Sequence, residues 1–157
     1  MPTLKQATQE FLAQKRIAVA GVSRDSKQPA NLIFRTLRDA GHEVFPVNPN
    51  AQEVEGEASY PDLKSIAGGV DAVMVATPAD SALAVVQECA ELGISRVWLH
   101  RSFGTGSVSD DAVTFCRGRG IDVIAGGCPM MFVPHADIGH KCMRWMLNLT
   151  GGLPKQV

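Results

Sequence analysis

Along this chain, short apolar runs alternate with stretches in which apolar residues recur every three or four positions. The runs lie at 16–20, 42–47, 71–76, 96–99 and 121–125. Each is bounded by turn residues, the pattern of a strand buried on both faces. Helical spacing fills the gaps, first in Leu32, Ile33, Thr36, Leu37 and Ala40, then in Ala82, Leu83, Val86, Cys89 and Ala90. A further helix opens at Ser107 or Ser109, where Asp110 and Asp111 suit the positive end of its dipole. Leu4, Ala7, Phe11 and Leu12 predict an N-terminal helix over 3–15, behind a Thr3/Gln6 capping box. Ile138, Cys142, Trp145, Met146 and Leu149 predict a C-terminal helix over 137–149.

Punctuation agrees with that division. Pro29 suits a first helical turn, Gly41 and Gly93 suit helix stops, and Thr77 or Asp80 suits an N-cap. The polar stretch 53–60 predicts a loop with a short extended piece, and 60–63 opens a short helical turn. Strands alternating with helices predict an α/β fold. The expectation is a Rossmann-like, doubly wound parallel sheet with helices on both faces. It forms a single domain over 1–157, with its core at about 16–130.

Composition narrows the function classes. Fifteen Lys and Arg balance sixteen Asp and Glu, so no basic surplus points to nucleic acid. The apolar runs fall far short of a membrane span, and the N-terminus lacks the apolar centre of a signal peptide. Cys89, Cys116, Cys128 and Cys142 form no C-x-x-C pair and read as reduced thiols of a cytoplasmic protein.

In open α/β sheets, ligands bind outside the carboxyl ends of the strands. The segments to question are therefore 21–25, 48–50, 77–80, 100–106 and 126–130. After the first strand comes Gly21-Val22-Ser23-Arg24-Asp25. Glycine there lets a ligand approach bare main chain, and Ser23 and Arg24 add a hydroxyl and a cation. A nicotinamide site calls for G-x-G-x-x-G here and an acid after the second strand. This chain has one glycine in that turn and Asn48-Pro49 in place of the acid. Arg24, Lys27 and Arg35 instead suggest extra phosphate charge to neutralise. Asn48 and Asn50 offer hydrogen bonds to a base or ribose without repelling phosphate.

These motifs resemble a known family. G-x-S at Gly21–Ser23, V-N-P-N at Val47-Asn48-Pro49-Asn50, A-T-P at Ala76-Thr77-Pro78, Trp98-Leu99 and Cys128-Pro129 look like the CoA-binding domain proteins. Those are small Rossmann proteins similar to the CoA-binding half of the succinyl-CoA synthetase alpha subunit. The resemblance implies binding of coenzyme A, free or acylated. It implies that Gly21, Val22, Ser23 and Arg24 hold the diphosphate and that Val47, Asn48, Pro49 and Asn50 flank the adenosine. Ala76, Thr77 and Pro78 would line the adenine or pantetheine path. Leu99, His100 and Arg101 would stand on the far side of the cleft. The phosphorylated histidine of the synthetase has no counterpart among these motifs, so no catalytic residue is carried over.

Other reactive residues have plainer readings. Cys89 and Cys116 sit at core positions of helices. Cys128 suits either the core or a place facing the ligand thiol. Cys128, His135, His140 and Cys142 match no compact zinc spacing, so no metal is expected. His100 suits a loop contact or an acid–base role. The Trp145/Met146 stripe suits the core or the face of a homodimer. The leading expectation is a CoA-binding protein without catalysis of its own. The alternatives are an NAD(P)-dependent oxidoreductase and a partner-binding module that uses its terminal helices.

Overall fold

The computed structural model describes residues 3–101 and 106–129. The C-terminal helix expected at 137–149, with His135, His140, Cys142 and the Trp145/Met146 stripe, lies outside them.

Helix α1 spans Leu4–Leu12. Its N-terminus is closed by a full capping box: the Thr3 hydroxyl accepts from Gln6 N–H at 3.2 Å, and Gln6 Oε1 accepts from Thr3 N–H at 2.9 Å. Strand β1 spans Arg16–Ala20 and helix α2 Pro29–Asp39, with proline in its first turn. The chain leaves α2 through Gly41, at a positive φ of 101°. Strand β2 spans Glu43–Val47. The extended piece expected within 53–60 is a small hairpin of β3, Glu53–Val54, and β4, Glu57–Ala58. Strand β5 spans Ala72–Val75, helix α3 Ala79–Glu91, strand β6 Arg96–Leu99, helix α4 Asp110–Gly118 and strand β7 Asp122–Ala125.

The main sheet is parallel, in the order β2-β1-β5-β6-β7. The fold is thus the expected α/β Rossmann-like sheet. Strand order reverses between β1 and β5, because the chain leaves β1 toward one edge and returns to pair on its other side. A parallel strand buried on both faces sends alternate residues to opposite sides. Ile17, Val19, Ala72, Met74, Trp98 and Ile124 meet α1 and α2 on one face. Ala18, Ala20, Val73, Val75, Val97, Leu99 and Val123 meet α3 and α4 on the other. Phe11 of α1 packs edge-on against Trp98, ring centres 5.4 Å apart. The indole N–H of Trp98 donates to Gly126 O at 2.9 Å.

Two local expectations are corrected. The buried face of α2 is Ala30, Ile33, Phe34 and Leu37, with Asn31, whereas Leu32 is 39% exposed. A hydrophobic side chain one position off the stripe thus points to solvent, and a polar one lies inside. Helix α3 is capped by neither Thr77 nor Asp80: its N-cap is Pro78, with no side-chain bond. Tyr60 forms a bridge with Val47, residues 61–63 form bends, and a turn follows at 64–65, where Ile66 N–H donates to Leu63 O at 3.2 Å. Side chains take the N–H groups just beyond Pro61: Glu88 accepts from Leu63 and Lys64 at 3.1 and 3.4 Å, and Asp62 accepts from Ser65 at 2.9 Å. Among the described residues no helix is long and apolar enough to cross a membrane.

Candidate functional site

The switch point between β1 and β5 opens a crevice at the carboxyl ends of the strands, where open α/β sheets take ligands. Its floor is main chain. Gly21 adopts φ 103°, and a Cβ there would lie 2.6 Å from Ala76 O and 2.8 Å from Ala76 C. Only glycine lets the two loops come so close.

The loops on either side are tied to each other. Gly21 N–H donates to Val47 O at 3.0 Å, and Asn48 Nδ2 donates to Val22 O at 2.9 Å. Asn48 Oδ1 accepts from Asn50 N–H at 2.8 Å. Both ends of that carboxamide are therefore engaged by backbone. Asn48 fastens the turn after β2 to the turn after β1, while Asn50 stays exposed. Across the crevice, the Ser107 hydroxyl donates to Thr77 O, joining the loops after β5 and β6.

Two lobes meet at this neck. The first, about 390 Å³, is lined by Gly21, Val47, Asn48, Pro49, Asn50, Thr77 and Pro78 together with 61–63 and one face of α3. The second, about 510 Å³, is lined by Gly21, Ser23, Ala76, Thr77, Pro78 and His100, with the start of α2, Gly106 and Ser107. Gly21, Thr77 and Pro78 border both.

Helix ends contribute to the electrostatics. The N-termini of α2 and α3 border the crevice, and neither has a side-chain cap. In contrast, α1 and α4, which start elsewhere, are capped by Thr3 and Ser109. Uncapped N–H groups and a positive dipole end favour an anion. Arg35 is engaged elsewhere: its guanidinium pairs with Glu55 at 2.7 Å and donates to Ser26 O at 3.0 Å. Arg24 and Lys27 are exposed and make no ion pair among the described residues.

The site residues expected from sequence are thus brought together unequally. Gly21, Ser23, Val47, Asn48, Pro49, Asn50, Ala76, Thr77, Pro78 and His100 line the two lobes. Val22 and Leu99 put fully buried side chains into the core. Arg24 borders neither lobe. Arg101 also borders neither: its guanidinium lies along Gly126, and its backbone N–H donates to Gly127 O at 2.9 Å. Sequence reading missed Pro61, Asp62 and Leu63, and the α3 residues Ser81, Ala84, Val85 and Glu88. The α3 residues had a legible signal. Their spacing marks a second stripe beside the buried Ala82, Val86 and Cys89.

Among the described residues the thiols, Cys89, Cys116 and Cys128, line neither lobe. Burial pushes the Cys89 thiol up, with Cys116 and Glu88 beside it adding to the effect. Burial alone pushes Cys116 up to about 11. Cys128 is 3% exposed and packs in the core beside α1.

Comparison with known proteins bears on the family and the fold. Residues 15–134 match the CoA binding domain family. The protein YneT of Bacillus subtilis (strain 168) is 28% identical over 81% of this chain and 91% of its own length. The alpha subunit of acetate–CoA ligase [ADP-forming] II from Pyrococcus furiosus is also 28% identical, over 82% of this chain. The match spans only 30% of that subunit's length. A hypothetical protein from Pyrococcus horikoshii OT3 superposes with a TM-score of 0.72 at 26% identity, covering 78% of this chain and 84% of its own. With the family pattern running through β1, the switch point and β7, this chain belongs to the CoA binding domain family.

Proposed function

We propose that this chain binds coenzyme A, free or acylated, along the crevice and performs no chemistry on it. The observation that carries the reading is the pair of lobes joined at Gly21. Coenzyme A has matching parts: an adenosine and a pantetheine joined by a diphosphate. The diphosphate would sit at the neck, against Gly21, Ser23 and the uncapped starts of α2 and α3. The adenosine would lie in the first lobe, beside Pro49, Asn50 and the α3 stripe. The pantetheine would run through the second, past Ala76 and toward His100. Val22 would contribute backbone only, Arg24 a positive charge beside the turn but outside both lobes, and Leu99 and Arg101 the support of the loop that carries His100.

An NAD(P) reading is less well supported. The position where an acid would grip the ribose holds Asn48, whose amide is already engaged by Val22 and Asn50. Among the described residues, His100 is the one imidazole on either lobe, and the thiols line neither.

Thermal melting with CoA, acetyl-CoA, NAD, NADP and ATP at matched concentrations tests the reading. At a hundredfold excess over Kd, CoA should add about 2.7 kcal/mol, on the order of 5–10 °C for a chain of this size. Acetyl-CoA should act similarly and release no thiol above the blank. Equal or greater stabilisation by NADP would overturn the proposal.

A further inference from the structure

Behind the phosphate turn lies a polar network that borders neither lobe through its key acceptor. Asn31, in the first turn of α2, is fully buried. Its Oδ1 accepts from Ser23 N–H at 2.8 Å, and its Nδ2 donates to Ser23 O at 2.7 Å. One carboxamide thus holds both backbone groups of Ser23, as a neighbouring strand would. The second Nδ2 hydrogen goes to Glu55 Oε1 at 2.8 Å. The same oxygen accepts from Arg35 Nη1 at 2.7 Å, and Arg35 also donates to Ser26 O at 3.0 Å. A single carboxylate oxygen therefore secures both ends of the segment 23–26, one through Asn31 and the other through Arg35. Buried polar groups satisfied in this way fix one geometry and are costly to leave half made.

Glu55 reaches this position through an unusual backbone. It occupies the two-residue turn of the β3–β4 hairpin with Gly56, at φ 52° and 75°. Both values belong to the turn that favours Asn-Gly or Gly-Gly. Among the described residues Glu55 alone is a non-glycine at positive φ. A glutamate where glycine fits better points to the work of its side chain.

We propose that Glu55 and Asn31 are positioning residues that preassemble the phosphate turn before any ligand arrives. With the Ser23 backbone held, its Oγ accepts from Asp25 N–H at 3.0 Å and keeps its hydroxyl hydrogen to give to an anion at the neck, where Ser23 borders the second lobe. Where the ligand is concerned, this rests on the CoA reading; where the turn is concerned, it does not.

Two variants separate this role from folding. Glu55→Gly removes the carboxylate while suiting the turn's positive φ, so the hairpin is kept. Glu55→Gln keeps an Oε1 acceptor in place. Amide hydrogen exchange without ligand is read at Ser23 and Asp25, and binding is read for ADP, CoA and adenosine. Glu55→Gly should speed exchange at both amides at least tenfold. It should weaken ADP and CoA at least tenfold and leave adenosine within twofold. Glu55→Gln should stay within threefold of the unmodified chain throughout. Unchanged exchange in Glu55→Gly would overturn the proposal, and so would equal weakening of adenosine and ADP. If the unmodified chain binds no CoA, the functional reading fails, and the exchange measurement still decides the positioning role.

Discussion

At Gly21 a single hydrogen in place of a side chain sets how near two loops lie. The nearest atoms a Cβ would meet are backbone atoms of Ala76 and Thr77, which have no rotamer to move. Gly21→Ala should therefore combine overpacking with a strained φ and destabilise by about 2–4 kcal/mol. Chemical denaturation measures this, and an unchanged midpoint would show that the loops have slack. Asn48 shows how far residue chemistry was legible. Its identity sets the end of β2 apart from an acid that would grip a ribose. Its bond from Asn50 N–H is a local turn that an asparagine two residues earlier favours, whereas its bond to Val22 belongs to tertiary geometry that no spacing reveals. By its place in the chain Arg35 suggests phosphate charge. It is instead paired by Glu55, twenty positions away in sequence.

At the scale of elements, the strands were legible because burial on both faces leaves continuous apolar runs. Helix faces were harder. On α2 the choice between Leu32 and Phe34 depends on which way the helix is rolled over the sheet, and the aromatic ring lies inside. The N-cap of α3 misled for a related reason, since Thr77 turns its hydroxyl to Pro78 O at 3.2 Å. The α3–α4 pair carries a prediction about pH. Cys89 and Cys116 lie in one core, and burial raises both thiols above their ordinary range. The folded chain thus holds protons that the unfolded chain releases. Their contribution is intact below the ordinary thiol value of 9.0 and is lost as pH rises toward about 11. Denaturation from pH 8 to 11 should show stability falling more steeply in the unmodified chain than in Cys89→Ala/Cys116→Ala. Parallel slopes would contradict the assignment.

At the scale of the whole molecule, the order of the strands decides where a ligand fits. The alternation of strands and helices made the parallel sheet legible. It did not give the order in which β2 and β5 flank β1, which depends on which way each connection turns. Much of the crevice could still be found, because residues following strands end on one side of any such sheet. The rest of its lining comes from the bends at 61–63 and from α3, drawn in by packing rather than by motif. A crevice of two joined lobes also makes a prediction about linkage. CoA should raise the melting temperature by more than ADP and pantetheine supplied together but unlinked, because the diphosphate turns the second contact into an intramolecular one. Equal shifts would mean that a single lobe is used.

The floor at Gly21 has a last consequence, for the range of molecules that such a fold can accept. Its clearance is gauged by one strand end against another, held through Gly21 N–H to Val47 O and Ala76 N–H to Ala20 O. Side-chain substitution cannot widen a gauge made of main chain without unpicking the sheet itself. Under the proposed CoA reading, diversity in what is held would therefore come from the walls, at Ser23, Asn50, Thr77, His100 and the α3 stripe. The passage between them keeps one calibre.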